Sequence, residues 1–180
     1  MEEELVSPKI DRKAYIKARL VEAVDDIDIA VNLWLSGKTR NAAGKAFAAV
    51  KALLSALVTK HLDELAKKDS WYAKKGYTVP THSMNGIALD LADLGYKDLI
   101  FLVNVALHLH SFQYNGFDPD FSKYETKGEV LYDLKLVAEA VLNNLKKWFS
   151  EYWDERLETL FNVAYSDLER LKGGLTSSHS

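Results

Sequence analysis

Only three prolines, Pro8, Pro80 and Pro119, interrupt this chain of 180 residues, and the long stretches between them repeat apolar side chains every three or four positions. That period is one face of a 3.6-residue helix. The first stretch, about 11–35, carries Ile16, Leu20, Val24, Ile27, Val31 and Trp34 on one side, and Ser36-Gly37 stops it. Glycine is the usual residue past a helix end. The second begins near 38–41 and runs to about 67, with Ala43, Phe47, Val50, Leu54, Leu57, His61 and Leu65 as its stripe. Ala42, Ala46, Ala49, Ala52 and Ala56 favour the helix and let a neighbouring helix approach closely. A link this short sends the second helix back antiparallel to the first.

Residues 68–80 read as a loop. A shorter helix follows, capped near Thr81 or Ser83, with Ile87, Leu91 and Leu94 on one face and Gly95 at its end. The next helix, about 96–111, holds LIFLVNVALHL. It is apolar nearly all round, which predicts the central, most buried helix. A strand is the rival reading, but no other segment resembles a partner strand. The loop 112–126 is rich in aromatics. Beyond Gly128 neither Gly nor Pro occurs until Gly173, and two apolar stripes succeed each other, Leu131 to Tyr152 and Trp153 to Leu171. One helix over that span would be about 66 Å long, too long for a compact domain of this size. A break is therefore expected near Phe149–Trp153. The second stripe needs a cover, and the expected one is a second copy of the chain in a homodimer, with packing back on its own bundle as the alternative. The expected fold is an all-α antiparallel helical bundle of five to six helices over 10–150, with a helical extension at 151–172 and a disordered tail at 173–180.

Hydrophobic residues make up 48% and charged residues 27%, the balance of a globular protein. A net charge of −3 provides no general attraction to nucleic acid or to an anionic membrane. With no cysteine, disulfides, thiolate nucleophiles and Cys-based zinc sites are excluded. The acidic start, MEEELVSPKI, lacks the apolar run of a secretory signal, and no stretch reads as a membrane span. The expected location is the cytoplasm, with no cofactor and no metal.

Gly37-Lys38-Thr39 imitates the end of a phosphate-binding loop, but Asn32 stands where the first glycine belongs and no strand precedes it. Asp118-Pro119-Asp120 lacks the glycine and spaced acids of a calcium loop. Lys67, Lys68, Lys74 and Lys75 with Trp71 and Tyr72 form a candidate nucleic-acid patch, since cations neutralise phosphates and aromatics stack on bases. Its rival is a solvated loop with the rings tucked against the core. His61 and His82 read as surface or core residues. Asn104 and His108, at i and i+4, share one face of the apolar helix, with His110 and Tyr114 close behind. Buried there, the pair would need partners, so it is either a hydrogen-bonded core spot or a ligand pocket.

Two long antiparallel helices, Pro80-Thr81-His82 at a turn, a short helix, and Leu107-His108 to Phe112 or Leu109-His110 to Tyr114 on the next helix resemble the HEPN superfamily, and within it the archaeal paREP family. The likeness spans about residues 10–150. It implies a helical bundle that dimerises, and either a ribonuclease or a noncatalytic partner of a nucleotidyltransferase. The ribonuclease motif sets Arg and a polar residue ahead of a His. Asn104 and His108 match its later part, but Val103 holds the arginine's place, and no Arg is followed by a His four to six residues on. Nothing then neutralises the phosphate charge of the transition state. The resemblance therefore implies a noncatalytic binding module, a homodimer or docked on a nucleotidyltransferase-type partner, with nucleotide or RNA as a further ligand. The alternative is a divergent ribonuclease in which His108 and His110 serve as acid and base. A purely structural subunit is the third reading.

Overall fold

The computed structural model describes residues 4–173, and the segment 174–180, which holds most of the expected disordered tail, lies outside them. All regular structure among the described residues is helical: α1 (Arg12–Leu35), α2 (Thr39–Lys60), α3 (Leu62–Lys68), α4 (Trp71–Lys74), α5 (Met84–Asp93), α6 (Asp98–Asn115), α7 (Lys127–Trp148) and α8 (Glu155–Gly173), with single 3-10 turns at Gly76–Thr78, Thr81–Ser83 and Ser150–Tyr152. Eight helices replace the expected five to six. The expected second helix divides at His61, where the backbone leaves the helical region (φ −105°, ψ 22°). The expected loop 68–80 contains the one-turn α4. The long C-terminal span breaks at Phe149–Trp153, the place the length argument indicated.

α1 opens on Asp11, whose carboxylate accepts from the Ala14 amide at 3.0 Å. It ends at Leu35, two residues before Gly37, whose φ is +82°. The chain reverses there: Arg12 pairs with Asp63, Tyr15 with Ser55 and Asp26 with Lys45, so α1 and α2 run past each other in opposite directions. α7 begins on a capping box, the Thr126 hydroxyl taking the Glu129 amide while the Glu129 carboxylate takes the Thr126 amide at 2.6 Å.

The centre of the fold corrects one expectation. α2, not α6, is the buried helix: 15 of its 22 residues are buried, against 7 of 18 in α6. Alanines give α2 a thin cross-section, so α1, α5, α6 and α7 all pack against it. α6 is apolar all round but covered on one side. Its other side leaves Ile100 and Phe101 exposed, Phe101 to 60%. α2 is also long and apolar enough to cross a membrane, contrary to expectation, but 83% of its apolar window is buried inside the fold, as in a core helix. The second C-terminal stripe is covered by the chain itself. Leu157, Ala164, Leu168 and Leu171 of α8 are buried against α1 and α7, which removes the reason for expecting a second copy on that stripe.

Candidate functional site

The four residues singled out on α6 separate into two pairs. Residues two apart on a helix point about 200° away from each other, so His108 and His110 face different surroundings. Asn104 and His108 are exposed, not buried as their apolar helix suggested. Asn104 satisfies its own amide by donating to the Ile100 carbonyl one turn back, at 2.8 Å. His108 borders an open groove of about 590 Å³ with Lys123, Thr126, Tyr132 and Asp133. The α7 N-terminus opens onto this groove, but the Glu129 carboxylate already occupies the cap, and Asp133 lies beside it, accepting from the Tyr124 hydroxyl at 2.7 Å. The groove therefore has little attraction for a further anion.

His110 faces α2. Its ring stacks on Phe47 with centroids 4.1 Å apart and meets Tyr114 edge-on at 5.2 Å. Its Nδ1 is buried without a hydrogen bond, and burial lowers its pKa. Arg40 closes the end of α6, its Nε donating to the Gln113 carbonyl at 2.9 Å and its terminal nitrogen to that of Tyr114. Val103, at the arginine position of the ribonuclease motif, is fully buried. A cation there would be carried into the core, not toward the groove.

The lysine–aromatic patch is not laid out for stacking. Tyr72 is buried, its hydroxyl donating to Asp90. Trp71 lies edge-on to Tyr72 and is packed against the core. Lys68 pairs with Asp90 and, at 3.8 Å, with Asp93. Lys67, Lys74 and Lys75 are exposed. His82 is exposed as well, while His61 joins two elements through Nε2 and the Tyr96 hydroxyl, 2.7 Å apart. Among the described residues no group of three or more His, Cys, Asp or Glu side chains is placed to hold a metal.

Two clusters on α1 were not visible in the sequence. In the first, Arg19 Nε donates to the Tyr15 hydroxyl (3.2 Å), which lies 2.9 Å from Ser55 Oγ, which donates to the Tyr77 carbonyl (2.6 Å). This buried chain pins the turn before Val79, a valine held in the left-handed region at φ +53°, a conformation that persists only where its surroundings enforce it. In the second, Arg19, Glu22, Asp25, Asp26 and Lys45 line a groove of about 420 Å³. Burial pushes Asp26 up to about 6, partly opposed by Lys45 at 3.3 Å. Nothing local in the sequence shows that α2 lies against these acids.

Compared with known families, residues 18–135 match the archaeal PaREP1/PaREP8 family. No curated protein and no solved structure matches the chain.

Proposed function

The chain belongs to the archaeal PaREP1/PaREP8 family, and on that premise we propose that it is a noncatalytic, HEPN-like antiparallel bundle that works by self-association. The observation that carries this reading is the outward face of α6. Ile100 and Phe101 are exposed there beside Asn104 and His108, on a helix whose other aliphatic residues are buried or half-buried. An aromatic left in water beside polar groups suits a surface that another protein covers. The face serves a homodimer, and a nucleotidyltransferase-type protein is the second partner class. Cytoplasmic location and RNA or nucleotide as a further ligand belong to the same reading.

Binding is favoured over cleavage by the α6 geometry. Acid and base must reach one scissile phosphate, yet His108 faces the groove beside α7 while His110 is stacked on Phe47. The arginine position is Val103, inside the core. Incubating the protein with end-labelled single-stranded RNA tests this: the RNA stays intact with wild type and with His108→Ala alike. Cleavage by wild type that His108→Ala abolishes would replace the binding module with the divergent ribonuclease.

A further inference from the structure

α8 lies beyond the segment that the family shares and packs along α1. Its buried leucines hold it there whatever the pH. The polar junction beside them is different. Asn32 of α1 places its Nδ2 at 2.9 Å from the Asp28 carbonyl oxygen, 3.3 Å from Asp28 Oδ1 and 3.1 Å from Asp167 Oδ2 on α8. An amide nitrogen has two hydrogens, and here it faces three acceptors. One acceptor goes without a hydrogen unless a carboxyl group brings its own. Two carboxylates drawn to one amide also repel each other. Arg170 of α8 lies 3.5 Å from Asp167 Oδ1, but it also donates to Asn32 Oδ1 at 3.1 Å. Asp25 on α1 adds a further negative charge. α2 contributes Lys45, whose ammonium sits on Asp26, and the α7 contact with α8 is made elsewhere, Lys172 on Glu139.

We propose that Asp28 and Asp167 share one proton, and that this proton sets how tightly α8 is strapped onto α1. With the proton in place, three acceptors meet three hydrogens and the strap is closed. Without it, two anions face each other across the junction, and α8 opens more often, uncovering the α1 face beneath it.

Burial first, then the bond to Asp167 and its charge, push Asp28 up to about 7 from an ordinary 3.8, while the same bond holds Asp167 below its usual range. In the undocked state Asp28 loses its proton at the ordinary value. The docked state therefore binds an extra proton between roughly pH 4 and 7, and docking weakens as pH rises through that window, by at most about tenfold per pH unit for a single proton.

Hydrogen exchange on the full chain between about pH 5.5 and 8 tests the proposal, with each amide corrected for its intrinsic rate. The α8 amides should lose about thirtyfold in protection across that range while α2 amides keep theirs. Asp28→Asn supplies an N–H to Asp167 at every pH, so α8 protection in this variant should stay level. An unchanged wild-type α8, or an Asp28→Asn protein that declines as wild type does, overturns the proposal. Should Asp28→Asn fail to fold, carboxyl NMR titration of the wild type decides. One proton leaving near neutral pH supports the shared proton, and two ordinary carboxylates titrating near 3.8 overturn it.

Discussion

Leu54→Ala and Phe101→Ala, compared side by side, measure which apolar helix is the core. Leu54 is fully buried on α2, whereas Phe101 on α6 is 60% exposed. Truncating a buried leucine removes its transfer energy and leaves a cavity, together about 2–5 kcal/mol. Leu54 has helices on several sides that cannot all collapse inward, so a value near the middle, about 3 kcal/mol, is expected. For a chain of this length each kcal/mol lowers Tm by roughly 2–4 °C, giving a fall of about 6–12 °C. Phenylalanine truncation in a core costs about 3–5 kcal/mol, but less than half of Phe101 is covered, and the part that projects into solvent contributes nothing. About 1 kcal/mol, or roughly 3 °C, remains. Thermal unfolding by circular dichroism, at a concentration low enough to keep the chain monomeric, separates the two. Equal losses would refute the reasoning, because they would mean that α6 is as enclosed as α2.

Three further outcomes follow from the geometry. Ser55→Ala removes the 2.6 Å bond to the Tyr77 carbonyl and leaves that carbonyl only the Tyr15 hydroxyl at 3.4 Å, so urea unfolding should show a loss of about 1 kcal/mol. Gly76→Ala should cost stability by the same measurement, because a Cβ there would lie 2.7 Å from the Tyr72 ring and 2.8 Å from that of Trp71, and neither ring can move without displacing its neighbours. Asn104→Ala and His108→Ala should each change stability by less than about 0.5 kcal/mol, since both side chains are exposed and Asn104 bonds only to its own helix; a loss of several kcal/mol in either would return the pair to the core.

What the sequence revealed and what it hid divide along the reach of each signal. The Gly37 and Gly95 stops and the break before Trp153 are local properties and appear where the residues indicate them, whereas the helix period runs on through the division at His61. Which helix lies at the centre is not local. The run LIFLVNVALHL looks more buried than the alanine-rich α2, yet small side chains, not large ones, let four helices surround α2. The same blindness misplaced Asn104 and His108, whose burial was inferred from apolar neighbours along the helix and not from what lies across from it. Periodicity shows that α8's stripe needs covering and never what covers it, so the expected second copy gives way there to α1 and α7 of the same chain. The Asn32–Asp167 contact spans 135 positions, and the links of the Tyr15–Ser55–Tyr77 chain span 40 and 22, so no spacing within one element announces them.

Light scattering of wild type and Phe101→Asp over a range of concentrations tests the central claim most directly. If the outward face of α6 is a self-association surface, wild type approaches twice the 20.3 kDa chain mass as concentration rises, and Phe101→Asp stays at 20.3 kDa with its helical content unchanged. A wild-type protein that stays at 20.3 kDa throughout, or a Phe101→Asp protein that doubles its mass as readily as wild type, would contradict the account.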